Sequence, residues 1–459
     1  MNPEDEISSA FRKGGGRLVL KNVVVRASGT RHKGDGILTI ASPRFLLDIT
    51  ISEFGPFDSD DRPRIIHRKD FWDVRGTAED IVAFRCPKVP PAHISKGSPP
   101  GTRLSGKVDC FDVIHQLVPD EFRGKWMRVH GVLPNYELTF ADELTTTSRE
   151  NAFWGKVTSS KVDFFRSETK YFKFGFQQCD SDTQVFFESK SDWRKCSPFD
   201  VMRQWRSLLK ALSFVTGIEA RPFIEVFSPG DKWLERYRPI RPNPTTNYTP
   251  FGTLSFVNKH ETSAIALMAE FLCDSPIADK ISSTTNLTRA VGGKSLRLAT
   301  LVHAVLFEGL VDVLYEQIAP PPRSEEERKA DEAFERVRTA EQNEITNKMK
   351  TAEEPEATAY RRLLGLLTTA KALRTKEKFE RLAAHYKLRG LEECLDAWGK
   401  ARNPVAHGAL WSVDSPEVIE GDWRNGSLIA SAINVLILKS IGYTGRCTKW
   451  NPLPETISI

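Results

Sequence analysis

Hydrophobic and polar positions change their period once along this chain. In the first half, apolar residues come in short runs: Arg17–Arg26, Gly36–Ile40, Phe45–Ile51, Asp80–Phe84, Trp126–Val129, Tyr136–Phe140 and Thr183–Phe187. These runs are rich in branched and aromatic side chains, and clusters of Gly, Pro, Asp and Ser separate them, which predicts strands. Strands at this spacing point to a sandwich or irregular barrel rather than to βαβ units. One helix closes the region. From Pro198 to Phe214 the residues Met202, Trp205, Leu208, Leu209, Leu212 and Val215 recur at spacings of three and four, and Gly217 follows as a stop.

Pro239, Pro242, Pro244 and Pro250 then punctuate a stretch rich in Asn and Thr, which reads as a linker over residues 238–252. Beyond it the period becomes helical. Helices are predicted at Glu261–Leu272, Ser295–Ile318, Glu325–Met349, Thr358–Leu373, Lys376–Tyr386, Gly390–Lys400 and Ser427–Ser440. The expected fold class is α+β, with a β-rich domain over residues 1–237 and an all-α helical bundle over 253–459. Residues 323–356 are dense in charge of both signs and nearly devoid of apolar residues, so they form a solvated helical excursion from that bundle.

Composition narrows the function classes. A chain of 459 residues has room for two to three domains. Its longest apolar helix, Leu296–Ile318, is interrupted by Arg297, His303, Glu308 and Asp312, and so reads as a buried amphipathic helix rather than a membrane span. The opening residues Met1–Glu6 are acidic, which speaks against a secretory leader. Seven scattered cysteines, none in C-x-x-C spacing, argue against zinc and against a disulfide framework, and a reducing cytoplasm fits best. A net charge of +5 permits a local basic site without implying a general coat for nucleic acid.

The candidate chemistry lies in Trp398-Gly399-Lys400-Ala401-Arg402-Asn403-Pro404-Val405-Ala406-His407-Gly408. Residues five apart on one straight helix point about 140° away from each other, so Arg402 and His407 would not meet there. Pro404 lacks an N–H and disfavours helical geometry at Asn403. The economical reading ends one helix near Lys400, makes Asn403 an N-cap and places Pro404 at the first position of a new helix. His407 then falls in the first turn, and the free N–H groups of that turn together with the Arg402 fork make an anion site. Metal-free RNA cleavage needs a base, an acid and a cation at phosphorus. His407 suits either proton role and Arg402 the electrostatic one. One imidazole cannot serve as acid and base in the same step, so a second copy of the motif across a two-fold axis is expected.

This stretch resembles the R-x4-6-H signature of HEPN ribonucleases, with the polar residue that follows the Arg, and its helical context agrees. Joined to a β-rich half ending in Ser213-Phe214-Val215-Thr216-Gly217, the chain resembles ApeA-type anti-phage HEPN proteins. The resemblance implies a metal-independent RNA endonuclease in which Arg402 and His407 are essential and Asn403 supports them. It also implies a composite site in a homodimer, 2′,3′-cyclic phosphate products and no cofactor. As a cytoplasmic, abortive-infection effector it would respond to a phage-derived trigger and act on RNA such as tRNA. An acidic residue on the first long helix that contacts the motif Arg belongs to the same pattern, and Glu308 and Asp312 are the candidates. The alternative on the same residues is a non-catalytic module that holds a nucleotide or RNA phosphate while the β domain binds a partner.

Other chemistry-bearing residues take plainer readings. A salt bridge to Glu308, Asp312 or Glu393 would account for Arg402 and is compatible with a resting enzyme. His303 and His385 read as structural. Arg62–Lys69 reads as a solvated basic loop, and Trp233, Arg236, Tyr237, Arg238 and Arg241 as interdomain packing.

Overall fold

The computed structural model describes residues 15–27, 30–41, 44–53, 72–78, 82–89, 94–95, 102–108, 110–115, 126–134, 139–140, 150–151, 155–156, 164–179, 182–192, 197–228, 233–239, 256–257, 259–291, 295–318, 324–369, 374–406, 415–451 and 453–459. The chain is α+β, with a β-rich N-terminal region followed by a helical bundle. It divides into two compact units, Met1–Ser275 and Pro276–Ile459. The division therefore falls beyond the Pro-rich segment 238–252.

Fourteen strands among the described residues of the first unit form one sheet. They are β1 Gly15–Ala27, β2 Thr30–Ala41, β3 Arg44–Glu53, β4 Trp72–Ala78, β5 Val82–Val89, β6 Ile94–Ser95, β7 Thr102–Val108, β8 Phe111–His115, β9 Trp126–Leu133, β10 Phe164–Glu168, β11 Phe172–Cys179, β12 Asp182–Asp192, β13 Ile224–Ser228 and β14 Trp233–Tyr237. Their order across the sheet is β10-β11-β12-β9-β13-β14-β8-β5-β4-β1-β2-β3-β7-β6, and every neighbouring pair is antiparallel.

Alternation decides which side faces the core. On β3, Phe45, Leu47, Ile49 and Ile51 are buried while Leu46, Thr50 and Ser52 face out. On β1 the alternation slips. A bulge between Leu20 and Val23 lets both face inward, with Asn22 in the left-handed region at φ 51°. The sheet curls strongly. Phe45 on β3 and Phe111 on β8 are separated by four intervening strands, roughly 24 Å on a flat sheet, yet their rings meet edge to face at 5.3 Å. One core gathers on the inside of this curl, including Leu20, Val25, Ile49, Phe111 and Tyr237.

Two helices among the described residues belong to the sheet unit. In α1 (Pro198–Thr216), Ser197 caps the N-terminus by accepting from the Phe199 N–H, and Gly217 ends the helix at φ 70°. The buried stripe Val201, Trp205, Leu208, Leu212 and Val215 faces inward. Helix α2 (Lys259–Asp274) packs against α1. The first helix expected in the bundle thus belongs to the sheet unit.

The second unit contains α3 (Ala278–Val291), α4 (Leu296–Gln317), α5 (Glu325–Thr351), α6 (Glu356–Thr369), α7 (Thr375–Tyr386), α8 (Glu392–Ala406) and α9 (Pro416–Ser440). A hairpin, β15 (Arg446–Asn451) and β16 (Leu453–Ser458), completes it. Helix α9 is the centre: every residue from Gly426 to Leu438 is buried, so it is enclosed on all sides by α4, α8 and β15. Helix α4 is the one described helix that is long and apolar enough, by length and composition, to cross a membrane. Here its buried residues Ala299, Ala304, Phe307, Leu310, Val311 and Leu314 serve the bundle core, against α9, α3, α7 and α8. Helices α5 and α6 pack against each other, and α5 carries exposed ion pairs such as Arg328 with Glu325 and Glu332.

Candidate functional site

Of the candidate residues, Arg402, Glu308 and Asp312 lie where α7 and α8 pack on α4. Cys394 and Ala397 bury one side of α8, and Leu391 just before it is buried too. Trp398 and Arg402, one turn apart, share another side. The Arg402 guanidinium lies 5.7 Å from the Trp398 ring centre, and that ring packs 6.2 Å from Phe307 on α4. Phe307 in turn meets Phe379 of α7 at 5.3 Å. An aromatic base thus sits beneath the charged groups. The Trp398 Nε1–H is buried with no hydrogen-bond acceptor among the described residues.

Arg402 is held as a fork. Its Nε donates to Glu308 Oε2 at 2.9 Å and its Nη2 to Glu308 Oε1 at 3.3 Å. The Arg402 side chain keeps 47% of its exposure and that of Glu308 keeps 31%. The two carboxylates expected near Arg402 therefore part company. Asp312, one turn further along α4, accepts from Lys378 Nζ of α7 at 2.6 Å. A third contact continues the line, where Arg381 Nη1 donates to the Tyr315 hydroxyl at 3.3 Å. Lys378 also lies 5.9 Å from the centre of the Tyr315 ring. Glu393, the remaining partner considered for Arg402, accepts instead from Asn451 Nδ2 at 3.0 Å. Lys378 and Arg381 carried no signal by themselves. The acceptor stripe Glu308, Asp312 and Tyr315, spaced four and three along one helix, was the clue that α7 presents cations there.

One expectation is corrected. The helix does not end near Lys400 and restart at Pro404: α8 runs unbroken from Glu392 to Ala406, with Asn403 and Pro404 inside its last turn. Asn403 is therefore not an N-cap. Pro404 costs the helix one hydrogen bond, the one its missing N–H would give to the Lys400 carbonyl, and a position so near the helix end tolerates that loss. The Asn403 side chain and the whole of His407 lie outside the described residues, so the Arg402–His407 geometry is not on view.

The other histidines of this unit take no part in the cluster. His303 is fully buried, its Nε2 3.5 Å from the Thr288 carbonyl, and burial pushes its pKa down to about 4. The His385 ring stands against Tyr386 at 4.8 Å. Cys394 is fully buried on α8, and burial pushes its thiol up to about 12, the environment of a structural rather than a reactive cysteine. Among the described residues, no three His, Cys, Asp or Glu side chains come together as metal ligands.

In the sheet unit, the aromatic-basic stretch makes its described contacts within one sheet. Arg236 forks onto Asp112 at 2.7 and 3.0 Å, Arg238 pairs with Glu225 at 2.5 Å, and Tyr237 stacks on Phe111 at 5.0 Å. These contacts tie β14 to β8 and β13 within one sheet. Arg62–Lys69 and Arg241 lie outside the described residues. The chain matches no protein-family model, and no curated protein or solved structure shows significant similarity to it.

Proposed function

We propose that the helical unit is a metal-independent RNA endonuclease and that Arg402 carries the electrostatic part of its chemistry. The observation behind this reading is the fork on Glu308. A guanidinium aligned two-pronged on a carboxylate is already oriented for a phosphate, and its exposure lets substrate replace the carboxylate. In the reaction, the RNA 2′-oxygen attacks phosphorus and the bond to the 5′-oxygen breaks. A 2′,3′-cyclic phosphate and a 5′-hydroxyl are left. Arg402 stabilises the charge gathering on the phosphoryl oxygens, and His407 moves one of the two protons. The His407 of a second chain moves the other, which makes the working form a homodimer. Asn403 supports the pair. The step calls for no cofactor.

As a cytoplasmic anti-phage effector, the protein would rest until the β-rich unit senses a phage-derived trigger and would then cut RNA such as tRNA. The test is cleavage of cellular RNA in EDTA by the wild type, Arg402→Ala and His407→Ala, with the ends mapped. Loss of cleavage in both folded variants, and cyclic phosphate ends from the wild type, are expected. Equal cutting by all three overturns the assignment. Saturable RNA binding without product, even with the natural trigger present, makes the chain a binding module instead.

A further inference from the structure

Three cations stand in file along α4. Glu308, Asp312 and Tyr315 lie on one stripe of that helix, about 6 Å and then about 4.5 Å apart along its axis. A basic side chain reaches each of them: Arg402 from α8, then Lys378 and Arg381 from α7. Two of the three acceptors are carboxylates, so each occupies a cation with the charge type that a phosphate would bring. Aromatic rings lie beside the first two cations, Trp398 at Arg402 and Tyr315 at Lys378. Cations in sequence with interleaved aromatic rings suit a single strand, whose phosphates pair with the former while its bases lie on the latter.

The geometry points to a binding track for single-stranded RNA in which Lys378 and Arg381 hold the phosphates that flank the one at Arg402. This deepens the nuclease reading and rests on it for the direction of the track: the file begins at the guanidinium assigned to the scissile phosphate. Asp312 and Glu308 act as internal competitors that the strand displaces. Lys378 and Arg381 are positioning residues, since neither reaches the reacting atoms. An acidic peptide would meet the same charges but would make no use of the rings.

The test is binding of a short, fully 2′-O-methylated single-stranded RNA, which cannot be cleaved, to the full chain in EDTA over a range of salt. Lys378→Gln combined with Arg381→Gln is expected to weaken binding and to flatten the log Kd against log salt slope by about 1.4, roughly 0.7 for each single-strand phosphate that is no longer neutralised. Asp312→Asn is expected to do the opposite, tightening Kd about threefold by removing a competitor. Lys378→Arg should bind as the wild type does. A role confined to tying α7 to α4 predicts instead that Asp312→Asn binds no better than wild type, and that result overturns the track. So does an unchanged slope in the double variant, or equal competition by polyglutamate. Should the double variant not fold, Asp312→Asn and Lys378→Arg carry the test. The two readings fail separately. A slope change without any cleavage by the wild type, even with its trigger present, sinks the nuclease and leaves the track. Cleavage that depends on Arg402, with binding indifferent to Lys378 and Asp312, sinks the track alone.

Discussion

Arg402 and Glu308 lie 94 residues apart in sequence and meet fork to carboxylate across α8 and α4. Both side chains remain partly exposed, so water and salt screen the pair, and such bridges contribute about 0–1 kcal/mol. Under the nuclease proposal, a contact that stabilises so little and yet aligns the guanidinium is a placeholder for substrate rather than a brace. Glu308→Gln should therefore leave the thermal midpoint nearly unchanged while lowering KM for RNA. Melting curves read beside cleavage kinetics check this. A large drop in midpoint would show that the bridge holds the helices together.

Gly131 on β9 permits α1 to lie where it does. A Cβ at that position would stand 2.8 Å from Trp205 Cζ2 and 3.1 Å from Pro222 Cγ. The indole cannot swing aside, because its Nε1 donates to Glu225 Oε1 at 2.7 Å and its ring meets Phe187 edge to face at 5.9 Å. Gly131→Ala is expected to destabilise the sheet unit by about 1–3 kcal/mol, the range for forcing a methyl group into a filled core. A urea titration would detect it as a lowered midpoint. A rise would mean that the ring has room to move.

Pro404 separates a split helix from a continuous one by experiment. In the last turn of α8 its missing N–H leaves the Lys400 carbonyl without that donor. Pro404→Ala restores the bond, so it should stabilise the helical unit by roughly 1 kcal/mol, part of the ~3 kcal/mol that an interior proline costs. At the first position of a new helix the same change would be neutral or unfavourable. A raised unfolding midpoint supports the continuous helix. Lower RNA cleavage alongside that rise would show that the proline serves the site at the expense of the fold.

That proline also shows where the sequence stopped being legible. Helix α1 could be read down to its stop, because Trp205, Leu208, Leu212 and Val215 recur at helical spacing and Gly217 occupies the left-handed position that ends it. Strands β1, β2 and β3 could be read because alternation survives wherever one face is buried. Helix α3 could not. Its buried residues include Ser282, Thr284 and Thr288, and the threonine hydroxyls bond back to the Lys280 and Thr284 carbonyls, so polar residues fill core positions that an apolar period misses. Helix α9 begins at Pro416 behind its Ser415 cap, well before the apolar run that announces it at Ser427. Strands β8 and β14 are stitched by Arg236 to Asp112, 124 residues apart, and no local pattern reports such a pair. At the candidate site, Glu308 could be named because a carboxylate interrupts an apolar helix. Lys378 and Arg381 could not, since cations on a short amphipathic helix usually face water.

Two buried histidines give the fold an acid limit. His130, on β9, stacks on Phe186 at 4.7 Å. Burial pushes its pKa down to about 4 against a weaker upward pull from Gln184. Burial does the same to His303 inside the helical unit, against weaker upward pulls from the Thr288 and Gly426 backbone. In the unfolded chain both titrate near 6.5. Between these values the unfolded state binds more protons than the native state, so stability falls as pH falls through that window. The loss is complete below about 4 and absent above 6.5. Each histidine accounts for roughly 3 kcal/mol in all, and about 2 kcal/mol of that is gone by pH 5. His303→Gln should remove the contribution of the helical unit. Its denaturant midpoint should then change less between pH 7 and pH 5 than that of the wild type, whatever its stability at neutral pH. Parallel pH profiles for the two proteins would show that His303 is already charged in the native state, or that another group sets the limit.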